Sequence, residues 1–193
     1  MSNFISTLPR KLLLPALLCS ACFSCSGISQ VTPDVEQSES AKSVDGYKSE
    51  LYIANTAISW GMAWLPNGDM LFTQRGGELR LVKQGQLIAE SITGLPAIEV
   101  GGQGGLLDIV LHPDYANNGW LYFSYAKADG KGNKSTAIMR AKLQGMALTE
   151  QEDIYVAQAY GDKGVHFGSR LAFDNQGYLY FSIGDRGQRD VNP

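Results

Sequence analysis

Three times the chain writes a turn that ends in glycine and follows it with an apolar, aromatic run. Asn67-Gly68 leads into Met70-Leu71-Phe72, Asn118-Gly119 into Trp120-Leu121-Tyr122-Phe123, and Gln176-Gly177 into Tyr178-Leu179-Tyr180-Phe181. The marking glycines, Gly68, Gly119 and Gly177, stand 51 and 58 residues apart. Around each lie short apolar runs separated by turn signals: Ile58 to Leu65, Asp69 to Gln74, Glu78 to Val82 and Gln86 to Ile88 in the first unit. The second unit adds Leu106 to Leu111, Trp120 to Tyr125, Thr136 to Ala141 and Ile154 to Val156, and the third Ser169 to Phe173 and Tyr178 to Ile183. A period of ~40–50 residues with about four strands per unit is the mark of a β-propeller blade, here stretched by loop insertions. An open sandwich fits the number of strands but not the repeat. The Asn-Gly pair predicts a tight hairpin with φ > 0 at both central residues.

Composition narrows the class. Lys and Arg total 16 against 19 Asp and Glu, for a formal net charge of −3, and no basic run exists, which excludes a nucleic-acid partner. Glycine, at 22 of 193 residues, is well above the usual ~7% and falls in the turns of an all-β chain. The three cysteines, Cys19, Cys22 and Cys25, lie together near the start, so the rest of the chain has neither a disulfide nor a cysteine-ligated metal.

Those cysteines belong to a processing segment. Arg10-Lys11 precede the apolar run Leu12 to Phe23, which ends in small residues. That is the layout of an export signal over residues 1–25, too short for a membrane span of ~20 residues. Cys22 or Cys25 also resembles the lipidated cysteine of a bacterial lipoprotein; a plain cleaved signal is the alternative. Either way an exported, periplasmic protein is expected, with a lipid anchor open. Residues 26–48 are polar, serine-rich and without periodicity, and read as a linker. Residues 49–193 then hold about two and a half blades of a propeller. Because propellers close with about four to eight blades, this is expected to be the N-terminal, truncated portion of a larger domain.

Four residues are candidates for chemistry. His166 lies between glycines in Gly164-Val165-His166-Phe167-Gly168-Ser169-Arg170-Leu171, just ahead of a predicted strand. An imidazole there can take a proton near neutral pH, or simply bond a neighbouring backbone carbonyl. Gln103, in Gly101-Gly102-Gln103-Gly104-Gly105, has backbone on both sides able to approach a flat ligand, and an amide that donates and accepts. A plain flexible connection is the competing reading. In Ile183-Gly184-Asp185-Arg186-Gly187 and the Arg189 that follows, Asp185 can orient a histidine, and an arginine, Arg186 first, can pair with a carboxylate or carbonyl of a bound ligand. A turn with a local ion pair explains the same residues. His112, followed by Pro113, and the tryptophans Trp60, Trp64 and Trp120 read as structural and blade-packing.

Together, Gly102-Gln103-Gly104-Gly105-Leu106-Leu107-Asp108, Leu111-His112-Pro113-Asp114-Tyr115, the His166 segment and Ile183-Gly184-Asp185-Arg186-Gly187 resemble one family. It is the soluble, pyrroloquinoline-quinone-dependent aldose sugar dehydrogenases, the glucose/sorbosone dehydrogenase group of six-bladed propellers. The resemblance implies oxidation of an aldose at its anomeric carbon to a lactone, with hydride passing to pyrroloquinoline quinone and electrons then to a soluble or membrane acceptor. By this resemblance His166 falls on the general base, Asp185 on the aspartate that supports it, and Gln103 beside the reactive quinone carbonyl. Calcium is implied as well, through oxygen ligands that lie later in the fold, so no metal ligand is assigned in this chain and the fragment alone is expected to be inactive. Val165 stands where glucose dehydrogenases of the group carry aspartate, which points to the broader aldose branch. The competing readings are a non-catalytic exported propeller that binds a protein or glycan, and a calcium propeller hydrolase. The last lacks an evident ligand set in Asp108, Asp174 and Asp185.

Overall fold

In a computed structural model of the protein, the described residues are 43–44 and 46–191. The segment read as an export signal, with Cys22 and Cys25, and most of the linker lie outside them. The last residues of that linker form a minimal hairpin in which β1 (Ser43–Val44) pairs with β2 (Tyr47–Lys48), and Gly46 supplies the left-handed turn at φ 83°.

The repeats fold as four-stranded antiparallel sheets in simple meander order. Strands β3 (Ser59–Trp64), β4 (Met70–Gln74), β5 (Glu78–Lys83) and β6 (Gln86–Leu87) form the first. The second comprises β7 (Leu106–Leu111), β8 (Trp120–Ala128), β9 (Lys134–Gln144) and β10 (Ala147–Val156). A third begins with β11 (Leu171–Phe173) paired to β12 (Leu179–Phe181). These are two blades and the inner half of another.

The turns differ instructively from expectation. At Asn67-Gly68 only Gly68 has positive φ, 86°, and its N–H donates to Leu65 O at 2.9 Å. Pro66 fixes its own φ near −65° and so imposes a type I turn closed by a left-handed glycine. The third unit repeats the device, with Gly177 N–H on Asp174 O at 3.2 Å. In the second unit the glycine instead ends a single helical turn, α1 (Tyr115–Asn118), and Gly119 N–H caps Tyr115 O at 2.8 Å.

The main core is the seam between the first two blades. Ala63, Leu71, Leu79 and Leu81 meet Ile109, Leu121, Phe123 and Met139 there, and Leu71, Leu121 and Phe123 are fully buried. Tyr122, Val110 and Ile138 then pack on Leu171, Phe173, Leu179 and Phe181 of the third unit. Met62 and Phe72 occupy in the first blade the places that Ile109 and Phe123 hold in the second, but no blade precedes them among the described residues. Trp60 and Trp64, expected in blade packing, therefore flank a hollow of about 330 Å³ on an open apolar face, partly covered by Tyr52 and Ile53. Trp120 packs against the Tyr122, Ile138 and Leu171 cluster at the seam with the third unit, as expected, and its ring also lies beneath the Arg140 guanidinium at 4.4 Å and the Lys142 ammonium at 4.7 Å.

A repeated polar clip joins the seams. In each unit the residue after an inner-face Phe carries a hydroxyl: Thr73, Ser124 and Ser182. Each accepts an N–H from the neighbouring innermost strand or its entry, from Gly61 at 2.9 Å, Asp108 at 2.9 Å and Arg170 at 3.2 Å respectively. Thr73 then donates to Leu107 O, and Ser124 to Ser169 O at 2.7 Å, reaching one unit onward. Asp108 adds a carboxylate, buried to 2% exposure, that accepts from Leu171 N–H at 2.8 Å and Arg170 Nη1 at 3.2 Å. These bonds moor the chain after residue 164 to the second blade and hold the loop that carries His166.

Candidate active site

His166 stands in the left-handed region, at φ 54°, in a residue that has a Cβ. Such a conformation costs on the order of 1–2 kcal/mol and persists only where the surroundings over-determine it. Here three contacts do so. The His166 N–H donates to Gln103 Oε1 at 2.8 Å, its ring Nδ1 meets Asp185 Oδ1 at 2.7 Å, and its carbonyl accepts from the Arg186 guanidinium. The three residues named from the sequence around this histidine thus all touch it.

Two glycines let the loops approach. A Cβ on Gly102, itself at φ 58°, would lie 2.4 Å from Gly164 O, so the Gln103 loop can close on the His166 loop only without one. Gln103 N–H donates to the same Gly164 O at 2.9 Å. A Cβ on Gly184 would come within 2.0 Å of His166 O, the carbonyl that Arg186 holds. Arg75 ties the other flank by donating to Gly102 O.

Arg186 is placed differently from its expected cofactor contact. Its side chain is fully buried, and its guanidinium donates to the carbonyls of His166, Gly184 and Ala159, the last at 3.2 Å, while lying 5.1 Å above the Phe167 ring. It pairs with carbonyls as its chemistry predicts, but with those of the main chain, because three segments of backbone converge on it. Burial lowers its pKa from the ordinary arginine value, with Asp185 opposing.

Asp185 is held as an anion. The Gly187 N–H on its carboxylate at 2.8 Å, and then the His166 ring, lower its pKa below the usual carboxylate range. Asp129 is lowered likewise, by the Asn133 amide and then the Lys131 N–H. Carboxylates with folded pKa values below their unfolded ~3.9 add stability that is complete above that value and lost as pH falls through the folded one. The difference in urea midpoint between wild type and Asp185→Asn is therefore expected to shrink below about pH 4. A difference that stays constant from pH 7 to pH 3 would show that the ionised Asp185 adds nothing to stability.

Three cations stand around the loops. Lys134 Nζ lies 3.7 Å from where a Cβ of Gly101 or Gly164 would sit and pairs with Glu99 at 3.6 Å. Lys163 Nζ donates to Gly187 O at 2.9 Å, and Arg189 acts electrostatically on Asp185. The His166 side chain is 56% exposed, and among the described residues its Nε2 has no hydrogen-bond partner. With Nδ1 donating to a carboxylate, the proton sits on Nδ1 and the Nε2 lone pair faces outward.

His112 has the opposite arrangement. Its Nδ1 accepts the Asp114 N–H at 3.0 Å, and its ring packs against Tyr122 and Phe173, the structural role expected of it. Its proton is therefore on Nε2. Long-range proton–nitrogen correlation spectra of neutral protein are expected to show two histidines of opposite tautomer; the same tautomer for both would break the Asp185–His166 assignment.

Among the described residues no group of three His, Cys, Asp or Glu side chains lies close enough to hold a metal ion, so no metal ligand set is assigned.

The family model described as Glucose / Sorbosone dehydrogenase matches residues 56–192. Aldose sugar dehydrogenase YliI of Escherichia coli (strain K12) is 38% identical over 133 residues, covering 67% of this chain and 36% of that protein. The crystal structure of the soluble aldose sugar dehydrogenase from Escherichia coli in its apo-form superimposes with a TM-score of 0.67 at 36% identity, over 70% of this chain and 40% of that one. The PQQ-bound form of aldose sugar dehydrogenase from Streptomyces coelicolor gives 0.60 at 26% identity, over 71% and 41%. The chain spans about a third of the length of the curated relatives it matches. Its blades align with solved dehydrogenases, and the family model extends across the Gln103, His166 and Asp185 loops: the chain belongs to the glucose/sorbosone dehydrogenase family.

Proposed function

We propose that the full-length gene product oxidises aldose sugars at the anomeric carbon to lactones, with pyrroloquinoline quinone as hydride acceptor and His166 as the base. The observation that carries this reading is the hold on His166: Asp185 at Nδ1, Gln103 at the N–H, and Nε2 turned outward. A base held this way presents one lone pair, in one direction, to a sugar hydroxyl. As Nε2 takes the anomeric hydroxyl proton, the ring becomes a cation, and the ionised Asp185 beside it stabilises that charge. The quinone, when bound, supplies the electrophile that receives the hydride.

The residues present suit such a ligand. The Gln103 amide can bond a carbonyl, and Lys134, Lys163 and Arg189 are cations close to the two loops, able to offset the charge of an acidic cofactor. Calcium, implied by the family resemblance, finds no ligand set among the described residues, and no step here is routed through it. Val165 stands immediately before the base where the glucose dehydrogenases of the group carry aspartate, consistent with a broad aldose range rather than glucose alone. The test is dye reduction by the full-length protein supplied with quinone and calcium, against a panel of aldoses. Quinone-dependent reduction is expected with several of them; none with any aldose would overturn the reading and leave a binding propeller.

A further inference from the structure

The guanidinium of Arg186 is the largest fully buried side chain among the described residues, and the proposed reaction makes no use of it. Burying a charge costs several kcal/mol unless its hydrogen bonds are made good. An apolar residue of similar volume would fill the same space above Phe167. What an apolar residue cannot do is satisfy three converging carbonyls, those of His166, Gly184 and Ala159. Arginine's planar fork is the side chain that can reach all three, and it stays charged in any protein environment.

The position of Arg186 in the chain adds the second half of the argument. Consecutive residues of a strand point to opposite faces. Here Asp185 and Arg186 both reach the same histidine, one its ring and the other its carbonyl. Arg186 itself is left-handed, at φ 54°, and the Gln188 N–H closes the turn onto Asp185 O at 2.9 Å. The turn after β12 is therefore built to grip His166 at both ends of the residue.

We infer that Arg186 is a positioning residue for His166: by holding its carbonyl it fixes the left-handed backbone, keeps Nδ1 on Asp185 and so leaves Nε2 as the acceptor. This rests on His166 being the base, but it makes a claim about the ring that can be read without turnover.

The test uses ¹⁵N-labelled Arg186→Met and Arg186→Lys proteins, with long-range proton–nitrogen spectra of the imidazoles and His112 as the internal reference for folding. In Arg186→Met the His112 signals are expected to stay in place while His166 changes from a single Nδ1–H form to a mixture of tautomers. Arg186→Lys, which keeps the charge but reaches fewer carbonyls, should fall between. In the quinone-loaded full-length protein kcat is expected to drop about 10- to 100-fold in Arg186→Met with KM within about threefold, because the reacting group and not the sugar contacts is displaced. A His166 spectrum identical to wild type in a folded Arg186→Met protein would overturn the inference. So would loss of the His112 signals in both variants, since Arg186 would then serve the fold as a whole. If His166→Gln turned over normally while Arg186→Met still scrambled the ring, the base assignment would fall and the positioning role would stand.

Discussion

Replacing His166 by glutamine in the full-length, quinone-loaded protein is expected to lower kcat for aldose-dependent dye reduction by about 10²- to 10⁴-fold, the range for removing a general base. KM should change little, because a glutamine at this position can still bond a sugar hydroxyl while being unable to take its proton. The size of the effect follows from how the imidazole is held. Asp185 fixes the tautomer at Nδ1 and is itself kept ionised, first by the Gly187 N–H and then by the ring. Glutamine has no second ring nitrogen, so it breaks the Asp185 contact as well as removing the base. The substitution should leave the fold intact, since the His166 side chain is more than half exposed and the loop keeps its mooring bonds through Thr136 to Phe167 O at 2.7 Å and Asp108 to Leu171 N–H at 2.8 Å. A variant that folds and turns over at the wild-type rate would remove His166 from the chemistry while leaving quinone-dependent oxidation open to another base.

The readable and unreadable parts of this structure divide along physical lines. Inner strands are plain in the sequence because they are largely buried: Leu106 to Leu111 is apolar but for Asp108, which is itself buried, and β7 has those bounds. The apolar pattern of the outer strand β10 marks only its end, Ile154 to Val156, though the strand begins at Ala147. Its central residues Glu150-Gln151-Glu152-Asp153 lie exposed at the blade edge, where charges discourage edge pairing and erase the apolar period. The clip hydroxyls were available as a signal, since Phe72-Thr73, Phe123-Ser124 and Phe181-Ser182 repeat in register with the glycines. His166, Gln103 and Asp185 were only weak candidates by spacing and acquired roles through resemblance; the structure brings the three into contact. The partners of Arg186 are main-chain carbonyls, which carry no trace in sequence, so its spacing suggests a ligand contact instead.

Phe123→Ala is expected to remove about 3–5 kcal/mol of stability, the usual cost of deleting a fully buried aromatic side chain. Phe123 has no exposed surface and lies on β8 in the seam where the first blade meets the second, among Leu71, Leu121, Ile109 and Met139. Its neighbours cannot collapse into the space, because Leu71 belongs to a sheet whose position is pinned by Thr73 on Leu107 O, and the other three are tied into the β7–β8–β9 ladder. The cavity therefore stays open, and lost transfer energy and lost contacts add together. Against a total of about 5–15 kcal/mol for a domain, that is a large fraction, and the melting temperature should fall by about 10 °C or more. Trp64→Ala is the internal control: the ring is larger but half exposed on the open face, so its removal should cost well under half as much. Urea denaturation followed by fluorescence or circular dichroism measures both variants in one experiment. A loss below about 1 kcal/mol for Phe123→Ala would mean that the seam relaxes around the missing ring, and that the hydroxyl clips rather than the packed side chains keep the two blades together.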